Sequence, residues 1–146
     1  MKSIPRPLVV IMVVFASVMA VVGVSSWMTP KEIVPWRRDF YNAQAEARES
    51  GKPMLAYFTA DWCGPCQSLK TTTWADKGVE EALRAYVPTR IDVMLNTNVA
   101  LKYNAEVLPK YAVLDAEGNV VKSEEGYMDP AMFLEWLKRP ASGVAN

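Results

Sequence analysis

Hydrophobic positions along the chain follow three rhythms, and each predicts a different kind of element. The first is continuous: Leu8 to Val24 carries no charge, and no charged residue stands between Arg6 and Lys31. A membrane-spanning helix needs roughly 20 predominantly apolar residues, a length reached here through Ser25, Ser26, Trp27 and Met28. The run has no polar face, which argues against an amphipathic core helix, and Trp27 suits a water interface. The second rhythm is helical. Trp36, Phe40, Ala43 and Ala47 recur at that spacing until Gly51 and Lys52-Pro53 end the helix. The third is that of strands, beginning with residues 53–60, which are apolar on both faces, as in a strand covered on both sides.

Beyond that strand a helix is predicted from Cys63 to about Lys70, and the β-branched Thr71-Thr72-Thr73 breaks it. Asp76 caps a further helix with Val79, Leu83 and Tyr86 facing inward. Val87 to Met94 alternates as a second strand, Arg90 and Asp92 to one side, Ile91 and Val93 to the other. Asn98 to Tyr103 reads as a short helix. Residues 111–114, the turn Asp115-Ala116-Glu117-Gly118 and residues 119–122 predict an antiparallel hairpin. Met132, Phe133, Trp136 and Leu137 line a last helix, with Pro130 in its first turn and Asp129 as its cap. The order α-β-α-(α)-β-α-β-β-α places the chain in the α/β class behind one amino-terminal transmembrane helix.

Composition sharpens this picture. The 146 residues carry 16 basic and 16 acidic side chains and no histidine. Lys2 and Arg6 precede the apolar run, so the rest of the chain is slightly acidic. With no basic patch, binding of nucleic acid by charge is not indicated. The expected organisation is a cytoplasmic segment 1–7, an anchor 8–28, a linker 29–35, one domain 36–138 and a tail 139–146. A cleaved signal peptide is the competing reading of the anchor, with small-residue sites at Val18-Met19-Ala20 or Gly23-Val24-Ser25. Signal peptides carry apolar regions of about 7–15 residues, and the greater length here favours an uncleaved anchor.

The candidate chemistry lies in Trp62-Cys63-Gly64-Pro65-Cys66, which holds both cysteines of the chain. At a helix start the first thiol is expected to be exposed and the second one turn inward. Unpaired N–H groups and the helix dipole there stabilise a thiolate on Cys63. Gly64 lets the chain turn into the helix, and Pro65 is tolerated in a first turn. A zinc site would need four ligands, and the chain has no further cysteine and no histidine, so no metal is expected. A purely structural disulfide competes, but so short a ring removes little loop entropy. Asp61 can assist by water relay or stand as a solvated surface carboxylate.

Set between the apolar strand Met54–Ala60 and Gln67-Ser68-Leu69-Lys70, this motif resembles the active site of the thioredoxin superfamily. Gly51-Lys52-Pro53-Met54-Leu55 through Ala60-Asp61-Trp62-Cys63 is most similar to the thioredoxin-like domains of bacterial envelope disulfide-reducing proteins. The resemblance covers about residues 36–138. It implies a thioredoxin fold, a central mixed β-sheet flanked by helices, here without a clear first strand. It also implies a cis-proline at Pro109, facing the cysteines, with backbone bonds to substrate offered by Leu108. An ordinary trans turn proline is the alternative. Trp62, Leu108 and Tyr127 would form an apolar rim. Three positions depart from the pattern: Val107 where glycine is frequent, Lys110 where threonine is common, and Tyr57 where many members bury an aspartate. Tyrosine is a poor base near neutral pH.

The resemblance implies a membrane-tethered thiol–disulfide oxidoreductase without cofactor, in which Cys63 attacks and Cys66 resolves. Its partners would be protein disulfide or dithiol substrates and an external electron donor such as a membrane thiol reductase. The Gly-Pro dipeptide favours the reducing direction over an oxidase or isomerase. Positive charge flanks the apolar run on both sides and does not orient it. Disulfide chemistry belongs on the oxidising side, which places the domain in the bacterial periplasm, held by a single pass through the inner membrane. A non-catalytic binding or assembly module is the rival from another class.

Overall fold

The computed structural model describes residues 6–28 and 30–140, with side chains described over 7–21 and 30–140. Expectations for residues 1–5, 29 and 141–146, and for the side chain of Trp27, lie outside the described residues. The chain divides into one compact unit ending at Pro30 and a second beginning at Lys31.

The first unit contains α1, Arg6–Met28, a helix of 23 residues. Its large apolar side chains from Leu8 to Val21 are exposed, and Ser17 Oγ donates to the Val13 carbonyl at 2.8 Å. Among the described residues, no helix is long and apolar enough to cross a membrane.

The second unit holds α2 (Phe40–Ser50), β1 (Met54–Thr59), α3 (Gly64–Thr71), α4 (Lys77–Leu83), β2 (Val87–Asp92), α5 (Thr97–Lys102), β3 (Lys110–Leu114), β4 (Val120–Glu125) and α6 (Pro130–Lys138). The strands form one mixed sheet in the order β2-β1-β3-β4. β1 runs parallel to β2, with Tyr57 opposite Arg90. It runs antiparallel to β3, with Tyr57 opposite Tyr111. β3 and β4 complete the sheet as the predicted hairpin, and Gly118 at φ +86° makes the turn that lets Tyr103 Oη donate to its carbonyl at 2.9 Å.

Alternation along β1 builds two cores. Met54, Ala56 and Phe58 meet Phe40, Ala43 and Ala47 of α2 and Val99 and Ala100 of α5. Leu55 and Tyr57 point the other way, onto Leu69 of α3, Val79 and Leu83 of α4, and Phe133 and Trp136 of α6. The second core is aromatic. Trp74 and Phe133 meet edge to face with centroids 5.1 Å apart, Tyr57 stacks on Tyr111 at 5.8 Å, and Trp136 closes on Phe133 at 5.6 Å.

Helix starts follow the predicted caps. Asp76 accepts from Val79 N at 2.9 Å and Asp129 from Met132 N at 2.8 Å. One expectation shifts. Trp36 shares the helical spacing of Phe40 and Ala43, yet α2 begins only at Phe40, because Asp39 is extended and accepts from Asn42 N at 2.8 Å. Trp36 belongs instead to an extended strap. Glu32 pairs with Arg90, Ile33 N donates to Trp74 O at 2.8 Å, Val34 is buried, and Arg37 bridges Thr89 beside β2. The stretch expected as a linker is thus docked from Glu32 onward, since Val34 and Trp36 gain more from the core than from water. The second strand stops at Asp92, whose carboxylate accepts from Met94 N at 2.9 Å and turns the chain.

Phe133 touches three other aromatic rings and is fully buried. Phe133→Ala is expected to cost about 3–5 kcal/mol in urea-induced unfolding. A loss below about 1 kcal/mol would show that this face repacks around the missing ring.

Candidate active site

β1 emerges from between its two neighbours and ends at Thr59, four residues before the first cysteine. Cys63 is extended, at φ −80° and ψ 102°, and is the N-cap of α3. Its Sγ accepts from Cys66 N at 3.3 Å, the position in which an N-cap side chain satisfies an otherwise unpaired first-turn N–H. Gly64 and Pro65 occupy the first turn, where the absent proline N–H costs nothing. Cys63 and Cys66 are joined as a disulfide with Cα atoms 5.3 Å apart.

The first cysteine was expected to be exposed, but it is only 4% accessible, against 0% for Cys66. Ala60, Cys63 and Cys66 form one buried cluster, and Leu108 and Val93 pack against it. The Leu108–Pro109 peptide is cis. The structure therefore brings Cys63, Cys66 and Leu108 together on one apolar patch and sets Pro109 next in the chain. Val93 was not singled out beforehand, although the alternation of Ile91 and Val93 already aimed it inward. Trp62 stands beside the pair, 68% exposed. Tyr127 does not join the rim. Its hydroxyl donates to Thr72 Oγ1 at 3.2 Å, beyond the far end of α3.

Asp61 is exposed. Its carbonyl accepts from Gln67 Nε2 at 3.1 Å, tying the loop to α3. Its side chain lines a polar cavity of about 250 Å³ shared with Arg38, Thr59, Lys70, Arg90 and Asp92. Tyr57 lies beneath, fully buried, and donates to Thr59 Oγ1 at 3.3 Å. The Arg90 guanidinium stacks 5.6 Å from the Tyr57 ring and 5.5 Å from that of Trp36. Burial pushes the Tyr57 hydroxyl above its ordinary pKa, a rise that its bond to Thr59 and the charge of Arg90 only offset. Tyr57 is a neutral packing residue, with no capacity to take a proton from Cys66 near neutral pH.

Lys110, which follows Pro109, is buried. Its Nζ donates to Glu125 Oε1 at 2.8 Å and to the Asn104 carbonyl at 3.1 Å. Gly126 N donates to the Pro109 carbonyl at 2.8 Å. The loop carrying Leu108 and Pro109 is thereby fastened to the end of β4. A buried ammonium needs such partners, because an unpaired one is strongly disfavoured.

The thioredoxin-like domain family matches residues 40–140. Among curated proteins, the thiol:disulfide interchange protein DsbD of Yersinia pestis is 31% identical over 98 residues, 63% of this chain and 16% of that protein. Its counterpart in Vibrio vulnificus is 34% identical over 101 residues, 65% of this chain and 17% of that protein. The chain thus spans about a sixth of the length of these relatives. Among solved structures, the oxidised carboxyl-terminal domain of Neisseria meningitidis DsbD aligns with a TM-score of 0.59 and 22% identity, covering 70% of this chain and 97% of that one. A thioredoxin from Thermus thermophilus aligns at 0.64 with 25% identity, covering 72% and 85%.

The buried tyrosines give a pH dependence with a definite sign. Desolvation raises the hydroxyl pKa of both Tyr57 and Tyr111 in the fold. Below about pH 10 both states keep their protons and the contribution is constant. Above it the unfolded chain deprotonates first, so stability falls as pH rises. Stability measured by urea unfolding from pH 8 to 11 should decline, and less steeply in Tyr57→Phe and Tyr111→Phe. Equal slopes in all three proteins would contradict the assignment.

Proposed function

The chain belongs to the thioredoxin-like family, and on that premise we propose that it is a membrane-tethered reductase of protein disulfides in the bacterial envelope. The observation that carries the reading is Cys63 at the N-cap of α3, its sulfur accepting the Cys66 N–H while Cys66 is fully buried behind it. In the reduced protein the same N–H and the helix dipole stabilise a thiolate on Cys63. That thiolate attacks one sulfur of a substrate disulfide, forms a mixed disulfide and expels the other substrate sulfur as thiolate. Cys66 loses its proton and attacks Cys63 Sγ. The substrate leaves as a dithiol, two electrons richer, and the Cys63–Cys66 disulfide remains. An external dithiol returns the electrons, a role suited to a membrane thiol reductase.

Leu108 and Pro109 present the substrate strand, with Trp62 at the exposed edge. Gly64 and Pro65 shape the turn, and Asp61, two residues before Cys63, offers an exposed carboxylate for a water-borne proton. The Gly-Pro dipeptide and the similarity to DsbD, named as a thiol:disulfide interchange protein, support this reading.

In an insulin-reduction assay with dithiothreitol, the chain should accelerate precipitation and Cys63→Ser should abolish the acceleration. Cys66→Ser should instead accumulate a mixed disulfide whose partner is read by mass. No acceleration by the folded wild-type chain would favour a binding module using the same groove.

The apolar segment 8–28 we assign to a single-pass anchor, with the domain outside the cytoplasm. Its uncharged length supports this. A reporter active only after export, fused behind Asn146, should be active and stay with membranes after carbonate washing. A soluble mature form beginning between Val21 and Trp27 would make the segment a signal peptide.

A further inference from the structure

Between Val93 and Asn96 the chain presents two large apolar side chains to solvent, Met94 at 66% and Leu95 at 83% exposure. Scattered surface hydrophobics need no explanation, but these two are adjacent, and the turn that carries them is firmly held. Val93 N donates to the Thr59 carbonyl at 3.0 Å and Asn96 N to the Asp92 carbonyl at 2.9 Å. The Asp92 carboxylate takes Met94 N at 2.9 Å, and Asn96 Nδ2 returns to the Asp92 carbonyl at 3.0 Å. Such a turn pays little conformational entropy on binding, because its shape is already set.

Its position ties it to the cysteines on two sides. Val93, immediately before Met94, packs against the buried cluster of Ala60, Cys63 and Cys66. Leu95 forms part of the wall of the polar cavity that also holds Thr59 and Asp61. We infer that Met94 and Leu95 are a docking lip for protein substrates, taking an apolar side chain that lies close in sequence to the substrate cysteine. The inference rests on the exchange chemistry proposed above and adds to it a determinant of substrate choice.

Charge does not select the occupant. Arg90 is paired with Glu32, and the remaining Arg38 and Lys70 of the cavity are balanced by Asp61 and Asp92. With opposing charges equal, neither an acidic nor a basic flank is preferred, and apolar contact decides. Val93 links the lip to the Ala60, Cys63 and Cys66 cluster against which Leu108 also packs, so a substrate strand laid over that cluster is expected to reach Met94 and Leu95. A small disulfide, which has no chain to lay across the lip, gains nothing from it.

The test uses the full chain, purified in detergent and reduced beforehand, in single-turnover reaction with two oxidants: insulin, and a small aromatic disulfide. In the double variant Met94→Ser/Leu95→Ser the rate constant with insulin should fall by about tenfold, as expected for lost apolar contacts, while that with the small disulfide stays within about twofold. The conservative pair Met94→Leu/Leu95→Met should restore the insulin rate. Unchanged insulin reduction in the serine variant would overturn the inference, and so would an equal fall with both oxidants. A dimer of the wild-type chain that the serine pair dissociates in sedimentation would assign the lip to a second copy and overturn it likewise. Wild-type protein that reduces neither oxidant would remove the proposed reaction itself, an outcome distinct from failure of the lip.

Discussion

β1 is held from four directions, by β2 and β3 at its edges and by an aromatic and an aliphatic core on its faces. All six of its residues are buried, and its last backbone carbonyl, that of Thr59, is taken by Val93 N. A strand so fixed delivers the loop Ala60-Asp61-Trp62 to one place, and α3 must start there. The N-cap geometry of Cys63 follows from that start. Because Leu69 anchors the same helix in the aromatic core, the sulfur's hydrogen bond to Cys66 N rests on packing along the length of α3.

The interior beside the site is built around Tyr57. That tyrosine is part of an aromatic group with Trp36, Trp74 and Tyr111. Arg90 lies over two of these rings and is neutralised by Glu32 from the strap. A carboxylate at position 57 would lose the ring contacts, and burial would raise its pKa. A tyrosine here fills the aromatic interior and supplies no proton acceptor near neutral pH. In the proposed cycle, proton movement at Cys66 would fall to water, the exposed Asp61 or the departing substrate thiolate.

Membership of a family and the work done by this member are separate matters. Solved structures at 22–25% identity share the frame, and one frame serves many activities. Two features of this chain lie near the cysteines: Lys110, which ties the proline loop to Glu125, and the exposed turn of Met94 and Leu95. Neither supplies a reacting atom to the proposed exchange, and the proposed lip would act on which substrate is taken.

The sequence by itself determined the order of elements, the burial of β1 on both faces, the caps at Asp76 and Asp129 and the pairing of Cys63 with Cys66. These are local properties, set by period, cap chemistry and spacing, and tertiary context reinforced them. Tertiary structure alone decided the role of Trp36, whose spacing fits a helix but whose ring belongs to a core assembled from residues far along the chain. It also turned the expected linker into a docked strap, since the partners of Glu32 and Ile33 are Arg90 and Trp74. The low exposure of Cys63 and the partners of Lys110 are of the same kind. They depend on side chains brought together across the sheet, and no pattern confined to neighbouring residues encodes which distant ones will meet.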